Sequence, residues 1–247
     1  GVVAEIQYDL RLFPNLQEVM FEDVTVSLKQ HRERLHGFCN EILHRNIKIS
    51  WSANARVDLN DIETLKLMKR SGCRMLCVGF EFGNQQILNN IKKGVTLEQS
   101  QAFAENCRRA GIRVHGCFMI GGPGENRQTA LQTIQLAKEL PIDTAQFSGV
   151  CPYPGTPYYN WCKEHGYLVP KDWREWVDEN LEQRTVINLP NLPMEEINEL
   201  VDLGLRSFYL RPSQMLRMLM EIRSVSDLRA KLHGLKSFIE YFIQRYR

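Results

Sequence analysis

Apolar residues in the first 150 positions alternate between short runs and longer amphipathic stretches. The short runs predict strands at residues 17–22, 48–52, 75–81, 113–121 and 143–150. Amphipathic stretches with helical spacing separate these runs, so the pattern indicates parallel strands joined by right-handed βαβ units. A repeat of roughly 30 residues per unit is typical of a barrel or a partial barrel.

Capping signals place the helix ends. Thr96 with Gln99 predicts a capping box at the start of a helix over 96–110. Asn60 with Glu63 predicts a similar start for the helix that ends near Gly72. Further helices are expected at 27–45, 84–92 and 125–140.

The character of the chain changes after Pro157. Strand signals end there, and residues 194–247 carry almost continuous helical periodicity. We therefore predict an α/β barrel region over residues 1–160 and a mostly helical C-terminal extension over 161–247. The sequence contains no run of 18 apolar residues, so no membrane span is expected.

Charge and cysteine content narrow the function classes. The 247 residues carry a net charge of +2, which argues against a strongly basic nucleic-acid surface. Seven cysteines, an odd number in a chain this long, favour a reducing cytoplasm over a secreted disulfide scaffold.

Cys73 and Cys77 form a CxxxC pair, a spacing that could serve an iron–sulfur or zinc site. A third cysteine at position 80 would complete a cluster motif, but Phe80 stands there. Since Cys77 falls in a predicted buried strand, we interpret both as small core residues and predict no metal ligands. His115, also within a strand, is interpreted as a satisfied core or rim residue.

Candidate chemistry gathers where the predicted strands end, because ligands bind at the carboxyl ends of parallel strands. The side chains and turns delivered there include Glu22, Asp23, Arg56, Glu81, the turn Gly121-Gly122-Pro123-Gly124-Glu125, and Tyr153. Each has an alternative interpretation. Glu22 and Asp23 could catalyse proton transfer, or Asp23 could cap the next helix. Arg56 could bind a ligand carboxylate or form an ion pair with Asp58. The glycine turn could let the backbone approach a ligand, or it could only connect the strand to the next helix.

In this order the motifs resemble the radical S-adenosylmethionine (SAM) superfamily, in the branch whose members usually carry an upstream cobalamin-binding domain. The matching stretches are residues 19–25 (VMFEDVT), 51–58 (WSANARVD), 72–81 (GCRMLCVGFE), 91–94 (IKKG), 116–125 (GCFMIGGPGE) and 152–156 (PYPGT). The resemblance covers about residues 1–160. It is specific as an ordered set, although each piece alone is short.

The resemblance implies a partial (β/α)6 TIM-like barrel in which a CxxxCxxC loop follows the first strand. In the family, three thiolates hold a [4Fe–4S] cluster, SAM chelates its remaining iron, and reduction yields a 5′-deoxyadenosyl radical. The first predicted strand here is similar to the family's second, and no CxxxCxxC occurs in the 247 residues. We therefore expect a barrel that lacks its first strand, with the cluster ligands absent from this chain. The chain is then a fragment, or a degenerate homologue, that is inactive alone.

The resemblance also suggests SAM contacts, residue by residue. Glu81 matches the residue that contacts the SAM ribose or amino group, and Lys93 matches a basic residue near the methionine carboxylate, for which Arg56 is a rival. Catalytic residues are not identified. Ile120, Gly122 and Glu125 match the stretch whose backbone packs on the adenine. Tyr153 lies in the segment that resembles the loop closing over the adenine, and Asp23 matches an acid that faces the methionine end or the substrate.

These expectations lead to one principal function and two alternatives. The principal one is the SAM-binding, substrate-facing part of a cytoplasmic radical SAM oxidoreductase for methylation or carbon-skeleton chemistry on a small molecule or lipid, with cobalamin in an upstream domain. The alternatives are a complete (β/α)8 barrel enzyme and a degenerate barrel that acts as a non-catalytic binding or assembly module. A missing first strand would leave an open barrel edge, through which we expect self-association.

Overall fold

Five parallel strands form an open sheet in chain order in the computed structural model. The model describes residues 1–22, 32–58, 61–177, 183–220, 222 and 225–245. The strands are β1 (Glu18–Phe21), β2 (Ser50–Ala55), β3 (Cys73–Glu81), β4 (Arg113–Ile120) and β5 (Thr144–Gly149). The α/β class, the parallel order and the open sheet expected from the sequence are confirmed.

Helices connect the strands and continue beyond the last one. Those of the barrel region are α1 (Val2–Leu12), α2 (Arg32–His44), α3 (Ile62–Arg70), α4 (Gln85–Asn90), α5 (Leu97–Ala110), α6 (Arg127–Glu139) and α7 (Pro157–Glu164). Those that follow are a 3₁₀ turn (Trp173–Trp176), α8 (Met194–Tyr209), α9 (Pro212–Met220) and α10 (Val225–Arg245), so the predicted helical C-terminal region is also confirmed.

The cap signals were correct in one case and displaced in another. The Thr96–Gln99 capping box is present as predicted. At α3 the cap is Asp61, whose carboxylate accepts hydrogen bonds from the backbone N–H groups of Glu63 and Thr64. The predicted cap, Asn60, lies outside the described residues. A neighbouring Asp competes equally well for this position, so the pattern alone did not distinguish the two.

Strand β2 differs most from its prediction, because it extends to Ala55 instead of ending at Ser52. Ala53, Asn54 and Ala55 pair with Leu76, Cys77 and Val78 of β3. Ala and Asn are poor strand formers in isolation, so pairing with the central strand overrides their local preference. For α2, the predicted residues 27–31 lie outside the described residues.

The sheet has two unlike faces. On the outer face, Phe80, Phe118 and Phe147 are buried and stack with centroid spacings of 5.5 and 5.3 Å. Helices α3, α5 and α6 contact β3 and β4. On the inner face, alternate residues such as Cys77 and His115 are only half-buried. Successive strand residues point to opposite sides, so this alternation places polar and soft side chains away from the core.

The chain divides into two compact units, Gly1–Leu205 and Arg206–Arg247. The first contains the whole sheet, and the second contains α9 and α10. A boundary near residue 160, expected from the change in sequence character, stays a prediction. No helix in the described part of the chain combines the length and apolar character that crossing a bilayer requires.

Gly83 packs the segment after β3 against α6. A Cβ there would lie 2.3 Å from the carbonyl oxygen of Gln132, and the Gly83 N–H donates to the hydroxyl of Thr133 at 2.9 Å. We expect Gly83→Ala to lower the free energy of unfolding by about 3 kcal/mol, because backbone must move. The matched control is Gly37→Ala in α2, where the added methyl meets nothing within 4 Å beyond its chain neighbours and the backbone of its own helix.

Gly37→Ala should raise the free energy of unfolding by about 0.5–1 kcal/mol through helix propensity. Urea denaturation of both variants measures the difference. Equal effects of the two substitutions would contradict the close approach at Gly83.

Candidate functional site at the carboxyl ends of the strands

Glu81 and Lys93 form an ion pair at the carboxyl end of β3. The Lys93 Nζ donates to the Glu81 Oε1 at 2.5 Å, and the two side chains are only 18% and 16% exposed. Both groups lie over Gly79, where a Cβ would come within 2.2 Å of the Glu81 Oε1 and 3.2 Å of the Lys93 Nζ. Glycine at position 79 therefore makes the space that the ion pair occupies.

The backbone of Glu81 is in the left-handed region, with φ of 65°. The pairing of β3 with β4 also shifts register between Gly79 and Glu81. A non-glycine residue in this conformation costs on the order of 1–3 kcal/mol and persists only where the surroundings hold it. This backbone conformation places the Glu81 carboxylate at a position that a regular β-strand would not give it.

Arg56 joins this pair from the segment after β2. Its Nη2 donates to the backbone carbonyl of Lys93 at 3.2 Å, and its Nε lies 3.2 Å from a carboxylate oxygen of Asp58. The ion pair with Asp58, which the sequence left open as an alternative, is thus present. The structure brings Glu81, Lys93 and Arg56 together, three of the eight residues expected to contact SAM.

Glu125 shapes the glycine turn from inside. It is 1% exposed, and its Oε2 accepts hydrogen bonds from the backbone N–H groups of Gly121 and Gly122. Its Oε1 has no partner among the described residues. The Tyr158 hydroxyl donates to the Gly121 carbonyl at 2.7 Å. The carboxylate is therefore engaged by its own loop.

The glycine turn lies against the segment that carries Glu81 and Lys93. Asn90 of α4 donates to the carbonyl of Pro123 at 2.7 Å. A Cβ on Gly122 would come within 2.7 Å of Phe82 and 2.9 Å of Ile87. The loop between β3 and α4 and the loop between β4 and α6 therefore lie side by side at the carboxyl ends of the strands.

In the described part of the chain, the contacts of the other residues expected to bind SAM do not involve the Glu81–Lys93 ion pair. Ile120 is fully buried, and its carbonyl accepts the N–H of Val150 at 2.8 Å. Tyr153 is 59% exposed, and its hydroxyl donates to the Gln183 amide oxygen at 2.9 Å. Asp23 lies outside the described residues.

The cysteines do not form the pair that their spacing suggested. Cys73 is buried, and burial raises the pKa of its thiol, whereas Cys77 is half-buried on the inner face. Cys77 instead meets Cys117 of β4, with the two sulfurs 3.6 Å apart, and His115 lies beside them. The hydrogen bond from Cys117 lowers the pKa of Cys77 to about 7.

Sequence reasoning missed this cluster. The available signal was the alternation of side chains between the two faces of a strand. By that alternation, the inner face carries Cys77 on β3 and both His115 and Cys117 on the adjacent β4. The interpretation of Cys77 as a buried core residue was wrong, because that side of β3 faces away from the helices.

The cysteines also test whether this chain could hold the family's cluster. Three thiolates must converge on a [4Fe–4S] cluster that leaves one iron for SAM. All seven cysteines are free thiols, and only Cys77 and Cys117 are paired within hydrogen-bond distance. The seven cysteines of this chain therefore do not fit a three-thiolate cluster.

Comparisons with known proteins agree with this architecture. The family model described as the radical SAM superfamily matches residues 2–137. The chain belongs to the radical SAM superfamily. It is 32% identical to an uncharacterized methyltransferase of Pyrococcus horikoshii, over 83% of this chain and 44% of that protein.

Two further similarities concern methyltransferases. The chain is 28% identical to the bacteriochlorophyllide d C-12(1)-methyltransferase of Chlorobaculum tepidum, over 59% of this chain and 31% of that protein. The structure of TsrM from Kitasatospora setae, a radical SAM methyltransferase with cobalamin and a [4Fe–4S] cluster bound, matches with a TM-score of 0.65 and 18% identity. That match covers 85% of this chain and 46% of TsrM. The TsrM match shows the fold alone, and the chain spans less than half the length of each of these relatives.

Burial raises the pKa of Glu125 to about 7, from an ordinary value of 4.5, against the opposing hydrogen bonds from Gly121 and Gly122. The folded protein therefore binds this proton more tightly than the unfolded chain does. Stability from this group is complete below about pH 4.5 and is lost as the pH rises through about 7. We expect this group alone to lower the free energy of unfolding by about 3 kcal/mol between pH 5 and 8.

Glu125→Gln tests this pH dependence, since its amide oxygen can accept the same two backbone N–H groups without titrating. Denaturation of the variant should lack the fall between pH 5 and 8. Glu139→Gln, an exposed position at the end of α6, should leave the wild-type slope unchanged. Identical slopes for wild type and Glu125→Gln would show that the carboxyl titrates normally.

Proposed function

We propose that this chain is the SAM-binding and substrate-facing part of a radical SAM enzyme that methylates a small or lipid-like molecule. The observation that carries the proposal is the shielded Glu81–Lys93 ion pair, held with Arg56 at the carboxyl end of β3. Family membership and the methyltransferase relatives support the reaction class. Carbon-skeleton chemistry stays the alternative reaction class, because an anaerobic magnesium-protoporphyrin IX monomethyl ester cyclase is also among the relatives.

SAM presents charges that suit this pair. Its methionine end carries an ammonium and a carboxylate, which are complementary to the Glu81 carboxylate and the Lys93 ammonium. Binding would replace one internal ion pair with two charge-assisted pairs, and such hydrogen bonds are stronger than neutral ones. Arg56, whose guanidinium is already linked to the Lys93 carbonyl, would orient the lysine or share the SAM carboxylate.

For the adenine, we infer that the accessible end of the turn after β4, at Pro123 and Gly124, supplies backbone against which the ring packs. The N–H groups of Gly121 and Gly122 are already bonded to Glu125, and the carbonyl of Ile120 is bonded to Val150. These groups therefore favour packing of the ring on the turn rather than direct hydrogen bonds to it. Glu125 acts as a positioning residue, and exposed Tyr153 would cover the ring from the next loop.

The remaining cofactors would be held by other parts of the whole protein. A [4Fe–4S] cluster would need three thiolates that this chain does not bring together, and no Asp-x-His-x-x-Gly element for cobalamin occurs in its sequence. We propose that both come from residues outside these 247, and that the chain alone is inactive. Free thiols at all seven cysteines support a reducing, cytoplasmic setting. The non-catalytic alternative gains no support from the relatives.

The pair can be tested by SAM binding to this chain. Glu81→Gln and Lys93→Met should each weaken SAM binding about tenfold, the cost of one charge-assisted hydrogen bond. Gly79→Ala should have a similar effect with every charge retained, because its methyl displaces the pair. Equilibrium dialysis with radiolabelled SAM measures the affinities.

The matched control is the Glu63–Lys66 ion pair on α3, with its atoms 2.9 Å apart and both side chains largely exposed. Glu63→Gln and Lys66→Met should leave SAM binding unchanged. Loss of affinity in these controls, or wild-type affinity in the Glu81 and Lys93 variants, would refute the assigned SAM site.

Reconstitution with iron and sulfide tests the cluster. We expect this chain to form no stable [4Fe–4S] cluster, since it lacks three convergent thiolates. Absorption and Mössbauer spectra of the desalted protein make the measurement, and Cys77→Ser with Cys117→Ser should give the same result as wild type. A stable [4Fe–4S] spectrum would contradict the proposal that the ligands come from elsewhere.

A further inference from the structure

We propose that Cys77, His115 and Cys117 form a binding site for one zinc-type metal ion on the inner face of the sheet. One ligand atom from each residue lies within 4.8 Å of the other two. None of the three was assigned to SAM binding, and the inference does not rest on the proposed function.

The sulfur separation fits a tetrahedral ion. Two thiolates bound to zinc at about 2.3 Å stand about 3.8 Å apart when the angle is tetrahedral. The Cys77 and Cys117 sulfurs are 3.6 Å apart. They already have nearly the spacing of a coordinated pair, so little movement would be needed on binding.

Strand pairing makes this arrangement rigid. Cys77 pairs with His115, and Gly79 pairs with Cys117, so the two cysteines are diagonal neighbours across β3 and β4. Gly79 adds no side chain of its own opposite Cys117, and the Glu81–Lys93 ion pair lies over that glycine. Sites built on strands hold their ligands more closely than sites built on loops.

The imidazole is held by a neighbour on the next strand. His115 pairs with Thr144 in the β4–β5 register, and its Nδ1 lies 2.8 Å from the Thr144 Oγ1. A hydrogen bond of this kind fixes the plane of a metal-binding histidine. The Gln146 side chain of β5 also hydrogen-bonds the ring, so it would have to release the ring when the metal binds.

A disulfide or simple core packing explains the cluster less well. A disulfide needs sulfurs about 2.05 Å apart, so these free thiols would have to move together by more than 1 Å. Cysteines that serve as small core residues are buried here, as Cys39 and Cys107 are. Cys77 and Cys117 are half-buried and face another potential ligand instead.

The donor set selects the metal. Two thiolates and an imidazole favour zinc and similar soft or borderline ions over magnesium and calcium, which prefer oxygen ligands. Two thiolates also balance the charge of a divalent ion on a half-buried surface. Three protein ligands leave a fourth position for water or for a heteroatom of a bound molecule.

Cobalt titration of the reduced 247-residue chain tests the site. We expect one equivalent of Co²⁺ to bind, with tetrahedral ligand-field bands and thiolate-to-cobalt charge transfer, and Zn²⁺ to displace it. Cys77→Ser, Cys117→Ser and His115→Asn should each weaken binding about 100-fold or more, since loss of a supporting residue alone costs 10–100-fold. Cys151→Ser, a half-buried cysteine outside the cluster, is the matched control.

Circular dichroism of each variant establishes whether it folds. His115→Asn removes the imidazole and keeps both thiols, so it tests the histidine ligand separately. Glu81→Gln should retain cobalt binding even though it loses SAM affinity, which separates this inference from the proposed function. The inference is overturned if wild type shows no thiolate-to-cobalt band, or if folded variants of the three ligands bind Co²⁺ as wild type does.

Discussion

The two-residue alternation of side chains along parallel strands is the constraint on which the rest of the structure depends. It sends Phe80, Phe118 and Phe147 to the helix-covered face, where they stack and are buried. The same alternation sends Cys77 and Cys117 to the opposite face. Burial of one face stabilises the sheet and fixes the register of its strands. The side chains on the other face are therefore held in place although they are not part of the core.

At Glu81 the structure departs from regular strand pairing. The register of β3 against β4 shifts just before this residue, and its backbone adopts a positive φ. Gly79, two residues earlier, leaves the space into which the Glu81 side chain folds back to meet Lys93. A partly buried ion pair keeps more of its Coulomb attraction than a surface pair, but both charges lose water. A zwitterionic ligand would restore full hydrogen bonding to both groups.

Much of this fold could be predicted because its signals are local. The structure contains the five strands that the apolar runs predicted, in chain order, and the capping box at Thr96. What could not be predicted depends on register. The extension of β2 to Ala55 and the meeting of Cys77 with Cys117 depend on which residues pair across strands, a non-local property. Sequence spacing instead pointed to Cys73, whose side chain lies on the buried face.

The glycine turn after β4 shows why a motif match and a ligand contact are different things. Glu125 matches the family pattern, yet its carboxylate is buried and bonded to the backbone of Gly121 and Gly122. Burying a carboxyl group is costly unless it is hydrogen-bonded or protonated, and both effects operate here. The side chain therefore sets the shape of the turn, in which Gly121 and Gly122 are buried and Gly124 is exposed. Residues of this site thus divide into those that shape the backbone, such as Glu125 and Gly79, and those that bring paired charges to the carboxyl end of β3, namely Glu81 and Lys93.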